Sequence, residues 1–92
     1  MTKPYRSRGR VVLEVLSTIA AEGPVGITRL TSVANLTHGR IQEHLGTFEE
    51  NGLIEAKDAS DRSLWRITDK GRLALEELRR IDRAMHDFGI NL

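Results

Sequence analysis

"ANLTHGRIQEHLGTFEENGLIEA", Ala34 to Ala56, decides how the rest of the chain is read. Ile41, Leu45 and Phe48 stand at i, i+4 and i+7, the spacing of one buried helix face. Thr37 ahead of them is a good N-cap, and in "NGL" behind them Gly52 suits the left-handed residue that ends a helix. A helix over about 37–51 is therefore expected, entered through a tight turn at "NLT". Gly39 and Gly46 lie inside it, and each costs an exposed helix interior roughly 1 kcal/mol relative to alanine. Seven residues apart, they share the outward face, about 20° from each other. A helix without side chains there can bring its backbone close to DNA or to another protein. The plain alternative is that the site tolerates them.

Upstream, residues 7–21 carry an apolar stripe of Val11, Val12, Val15, Leu16 and Ile19 and are expected to form a helix. "EGPVG" breaks it, with Gly23 at the C′ position and Pro24 just beyond. Ile27 is a candidate for a short strand. Thr28 is then expected to cap a second helix to about Val33, with Leu30, Val33 and Ala34 inward. Downstream come two extended runs, 53–57 and 63–67, joined by "DASDR", a linker of hairpin length and turn composition. Trp65 and Ile67 alternate with Leu64 and Arg66, so one face of this hairpin can be buried. Thr68 caps a last helix that runs to about Phe88. The order helix, short strand, helix, turn, helix, hairpin, long helix is that of a winged helix: a helix-turn-helix with a β-hairpin beside it.

"LTHGRIQEHLGTFEENGLI" followed by "WRITDKG" also resembles a known group. Over about residues 7–88 the chain is similar to the winged helix-turn-helix proteins of archaea, small regulators and ten-kilodalton DNA-binding proteins among them. The resemblance implies an α+β, mainly α fold whose long C-terminal helix pairs with a second copy in an antiparallel coiled coil. It also implies binding to double-stranded DNA.

The residues fit that implication. With Ile41, Leu45 and Phe48 inward, Gly39, Gln42, Glu43, Gly46, Thr47 and Glu50 face out, with Arg40 on the flank. Arg40 can pair with guanine and Gln42 with adenine in a major groove, and Glu43 can accept from cytosine, though a solvated glutamate is the simpler role. Thr37 and His38 begin the helix, where N–H groups favour phosphate. Glu43, Glu49 and Glu50 repel phosphate, so specific base contacts have to outweigh them. The wing, about 57–63, offers Lys57 and Arg62, with Arg66 beyond it; a charged turn that keeps the hairpin edge unpaired is the simpler alternative. Residues 1–10 hold Lys3, Arg6, Arg8 and Arg10 and no acid, a charge of +4 that leaves −3 for the rest of a chain of net charge +1. Such an arm, with Arg6, Arg8 and Arg10 tracking phosphate, suits a polyanion met at one place.

Ala74, Leu78, Ile81, Met85 and Phe88 follow the 4-3-4-3 spacing of a coiled-coil seam, while Leu73 and Leu75 can face the body. A homodimer is the economical cover for that seam. In a parallel pair Glu77 and Asp82 would set like charges together, which favours the antiparallel arrangement. The expected division is 1–72 for the DNA-binding domain with its arm and 73–92 for the dimerisation helix.

Other classes find little footing. At 92 residues the chain makes one domain with one core. It holds no cysteine, so disulfides and thiolate metal sites are excluded. His38, His44 and His86 form no HExxH or ligand cluster, no glycine-rich phosphate loop appears, and an enzyme is not expected. His44 is expected at the core edge of its helix. Neither a metal nor a cofactor is implied, and no small-molecule effector site is visible. Short apolar runs and a start without a hydrophobic signal point to a cytoplasmic, nucleoid-associated protein with no membrane segment. The reading is a sequence-specific transcriptional regulator. An architectural, largely non-specific DNA protein and a winged helix used for protein–protein assembly are the alternatives.

Overall fold

The computed structural model describes residues 7–59 and 62–90. Within them α1 (Arg8–Glu22), α2 (Ile27–Ala34) and α3 (His38–Glu50) precede a hairpin of β1 (Ile54–Ala59) and β2 (Arg62–Ile67), and α4 (Asp69–Asp87) closes the fold. The strands pair antiparallel, from Ile54 opposite Ile67 to Ala59 opposite Arg62. This is the expected winged helix, mainly helical.

Capping side chains set three of the four helix starts. Ser7, Thr37 and Thr68 each accept a hydrogen bond from a backbone N–H three residues on. The expected cap at Thr28 is not used. Helix α2 starts earlier, from Gly26 in an extended conformation without a side-chain cap, and Thr28 lies inside its first turn. Ile27 is likewise helical and not a strand. The extended residue is Val25, which exchanges backbone hydrogen bonds of 2.9 and 2.8 Å with Trp65 and so covers the second edge of β2. Asn35 takes the left-handed conformation at φ 53° in the turn before α3, a geometry asparagine tolerates. Gly52, at φ 75°, ends α3, and the Leu53 N–H reaches back to the Phe48 carbonyl at 2.8 Å.

The core gathers Val11, Leu13, Val15, Leu16 and Ile19 of α1, Leu30 and Ala34 of α2, Ile41, Leu45 and Phe48 of α3, Ile54 and Ile67 of the hairpin, and Leu75 of α4. Each large side chain so buried contributes roughly 1.5–3 kcal/mol. Helix α1 packs against α2, α4 and β2 at once, so its buried arc is wider than one stripe: Leu13 is buried and Val12 only half-buried. Val33 is also only half-buried.

The "TDKG" start of α4 has a packing reason. The Thr68 hydroxyl donates to the Gly52 carbonyl at 2.5 Å and accepts from the Gly71 N–H at 3.0 Å, fastening α4 to the end of α3. A Cβ on Gly71 would lie 2.0 Å from the Leu53 carbonyl oxygen, so the backbone of α4 can cross that loop only at a glycine.

Two expectations for α4 need correcting. Leu73 does not face the body; it is 63% exposed, while Leu75 is 3% exposed and fills the core. One hundred degrees of helical turn separates Leu73 from Ala74 and twice that from Leu75, and the body covers only the Leu75 side. Asp82, used above to weigh parallel against antiparallel pairing, pairs instead with Arg10 of its own chain at 2.6 Å. A carboxylate already neutralised within its own chain no longer discriminates between the two arrangements.

Candidate nucleic-acid interface

Helix α3 presents its outer face to solvent. His38, Gly39, Arg40, Gln42 and Glu43 are all exposed, as expected from the inward set Ile41, Leu45 and Phe48. The Thr37 hydroxyl caps the helix by accepting from the Arg40 N–H at 3.2 Å. A Cβ added at Gly39 or at Gly46 meets nothing within 4 Å, and neither glycine has a positive φ. The chain itself therefore has no steric need of either glycine, unlike Gly71.

Beside Gly46 the outer face of α3, the start of α2 and β2 enclose a groove of about 690 Å³. His38 and Gln42 line it. So do Thr28 of α2, expected only as a helix cap, and Arg29, which the sequence did not single out. Helix α2 begins at Gly26 without a side-chain cap, which leaves its first N–H groups without a capping side chain. Arg29 is held by Glu22 through two hydrogen bonds of 2.8 and 2.9 Å, which lower the Glu22 carboxyl and raise the Arg29 guanidinium from their ordinary pKa values.

Arg8, Arg40 and His44 form a second grouping on the flank of α3. His44 is half-buried, its ring 6.0 Å from that of Phe48. Burial pushes its pKa below the usual histidine value, the positive charges of Arg8 and Arg40 push it the same way, and Glu43 opposes them. The start of α1 thus brings the charge of one basic residue of the arm to bear on His44 of α3.

The other candidates lie apart from α3. Arg10 faces α4, paired with Asp82. Lys57 and Arg66 line a separate groove of about 610 Å³ behind the hairpin, together with Arg72 of α4, and Arg66 pairs with Glu55 across the strands at 2.5 Å. Arg72 was not anticipated, although it directly follows the capping "TDKG". Arg6 and the Arg62 side chain lie outside the described residues.

Along α4 the seam candidates divide. Ala74 and Leu78 are half-buried, and Leu78 packs on the chain's own core. Met85 is half-buried, whereas Ile81 is 48% and Phe88 80% exposed. Among the described residues no three His, Asp or Glu side chains gather as a metal site would need, and no helix is long and apolar enough to cross a membrane.

Comparison with known proteins agrees with the architecture. A family profile described as winged helix-turn-helix matches residues 5–86. No curated protein sequence matches the chain. Among solved structures it is similar to Sso10a-2, a DNA-binding protein from Sulfolobus solfataricus, with a TM-score of 0.80 at 23% identity over 90% of this chain and 85% of that one. It is also similar to AF1382 from Archaeoglobus fulgidus, with a TM-score of 0.70 at 27% identity over 80% of this chain and 86% of that one. A MarR family transcriptional regulator from Silicibacter pomeroyi superposes with a TM-score of 0.68 at 26% identity over 84% of this chain, which spans 56% of that longer protein.

Proposed function

Because the chain belongs to the winged helix-turn-helix family, we propose that it binds double-stranded DNA sequence-specifically, as a homodimer, and regulates transcription. The observation that carries this reading is the outer face of α3. It is polar, a side chain added at Gly39 or Gly46 would meet nothing of the chain, and it displays Arg40 and Gln42 at the end of the helix that a major groove admits. The start of α1 adds Arg8, whose charge is felt at His44 together with that of Arg40, which suits a phosphate beside the groove. Fold relatives lend support: Sso10a-2 is described as DNA-binding, and FabT from Streptococcus pneumoniae was solved in complex with DNA. Ile81 and Phe88, exposed on α4, give a second copy an apolar surface to cover. Such a protein would act in the cytoplasm, on the nucleoid.

Direct readout and phosphate contact leave different signatures. Arg40→Ala and Gln42→Ala should each cost about 1–3 kcal/mol on the preferred site and relax preference at one position. Lys57→Ala and Arg8→Ala should weaken all sequences alike and flatten the salt slope by roughly one unit. Selection of duplexes from a random pool, followed by binding isotherms on selected and scrambled DNA at several salt concentrations, measures both. If neither the Arg40 nor the Gln42 variant changes affinity or preference, α3 does not read DNA. Its exposed Glu43, Glu49 and Glu50 then favour the protein-assembly reading.

A further inference from the structure

The groove behind the hairpin gathers more positive charge than the chain neutralises. The end of α1, the Gly23–Pro24 turn, the hairpin and the start of α4 enclose about 610 Å³, within the roughly 300–1,000 Å³ of small-molecule sites. Ile54 and Ile67 are buried in the core, so strand alternation puts Glu55, Lys57 and Arg66 together on the opposite face of the hairpin, where all three line the groove. Arg72 joins them from α4. Arg66 is paired with Glu55 at 2.5 Å, and that pair is neutral. Lys57 and Arg72 have no carboxylate partner among the described residues. Against their two charges the lining sets one remaining carboxylate, Asp69 in the first turn of α4. From this imbalance we infer that the groove binds a small phosphorylated molecule that carries a hydroxyl group, the chemistry of a sugar phosphate.

The lining argues for both groups of the ligand. A phosphomonoester carries about −1.5 to −2 charges at pH 7, which answers Lys57 and Arg72 together, whereas a single carboxylate would leave one of them uncompensated. A planar guanidinium and a mobile ammonium both suit phosphate oxygens. An ionised Asp69 can only accept hydrogen bonds, so the ligand atom beside it has to be a donor, and a hydroxyl donates without adding charge. The same carboxylates disfavour a duplex here: its phosphates form a continuous row, one charge per roughly 1.7 Å of axis, and Asp69 and Glu55 would both repel it. Lys57, on the wing, can also serve DNA, so Arg72 is the residue that tells the two occupants apart. The ligand site does not depend on the DNA-binding reading.

The probe is ribose 5-phosphate, titrated calorimetrically into the full chain, with ribose, inorganic phosphate and succinate as comparators. It should bind saturably, one per chain, and ribose should not bind. Succinate, a dianion without phosphate or hydroxyl, should bind at least tenfold more weakly. Lys57→Gln and Arg72→Gln should each weaken the probe at least tenfold at an unchanged melting temperature, since both residues are exposed. Arg83→Gln removes an exposed cation of α4 that does not line this groove, and should bind like the wild type. Asp69→Ala should lower the ratio of ribose 5-phosphate affinity to inorganic phosphate affinity, because it removes the acceptor for the hydroxyl. No saturable binding overturns the proposal, as do wild-type binding by the Lys57 and Arg72 variants, an equal loss in Arg83→Gln, or succinate bound as well as the probe. An unchanged ratio in Asp69→Ala overturns the hydroxyl part. On a selected duplex Arg72→Gln should match the wild type; a tenfold loss there assigns the groove to the DNA surface and overturns the small ligand. A wild type that binds no duplex overturns the DNA reading, and the titrations alone then decide this site.

Discussion

Helices α3 and α4 are both amphipathic, yet the chain treats their apolar faces differently. Ile41, Leu45 and Phe48 of α3 are all buried by the chain's own core, and what remains outside is polar or glycine. In α4 only the first turns are covered: Gly71 and Leu75 are buried, Leu78 is half-buried, and beyond them Ile81 and Phe88 are exposed. The globular body ends alongside the middle of α4, where Arg10 meets Asp82. Past that point the 3.5-residue spacing of apolar residues continues through half-buried Met85 to Phe88, which is exposed among the described residues. An apolar face covered from within stabilises the fold, whereas one left bare stabilises an association.

Truncation separates these roles most strongly. Ile41→Ala should destabilise the fold by about 2–5 kcal/mol in denaturant unfolding, because Ile41 is completely buried and its removal leaves a cavity. Ile81→Asp with Met85→Asp should leave the body folded and convert a dimer to a monomer by sedimentation equilibrium. A wild type already monomeric at micromolar concentration would remove the associative half of the comparison.

Glycines sharpen it next. Gly71→Ala should cost about 1–3 kcal/mol, since its methyl group would press on the Leu53 carbonyl and the Ile67 side chain. Gly46→Ala meets nothing, and should stabilise by up to about 1 kcal/mol through helix propensity alone. Thermal melts of the two variants should therefore move in opposite directions. If α3 approaches DNA closely at Gly46, the more stable variant will bind the selected duplex less well.

The smallest effect concerns pH. Burial, Arg8 and Arg40 together depress the His44 pKa in the folded state below its unfolded value of about 6.5. The unfolded chain therefore takes up the proton first as pH falls. The contribution of neutral His44 is complete above about pH 6.5 and is lost as pH drops towards the folded pKa. His44→Gln should flatten the stability profile in that window and leave it unchanged at pH 8, as read by denaturant midpoints.

Local patterns were legible where local physics decides them. Thr37 and Thr68 cap helices because a hydroxyl at that position finds an N–H three residues on, whatever the surroundings. Thr28 has the same chemistry and does not cap, because the pairing of Val25 with Trp65 sets where the extended chain turns into α2. The outward set of α3 followed from its 100° periodicity. The partners of Arg10, Arg29 and Arg66 did not, since Glu22, Glu55 and Asp82 reach them only through turns and helix packing.

The sequence by itself determined the order of elements, the buried face of α3, the two glycines on its outer face and the apolar spacing of α4, all of which are periodicities and end signals read within one segment. Only the tertiary structure decided how far along α4 the body extends, which arginines are spoken for, that Gly71 is compelled by a crossing backbone while Gly46 is not, and that Gly46 borders a groove. Those outcomes depend on surfaces from segments far apart in the chain meeting at distances of a few ångströms, and no spacing within one segment records that.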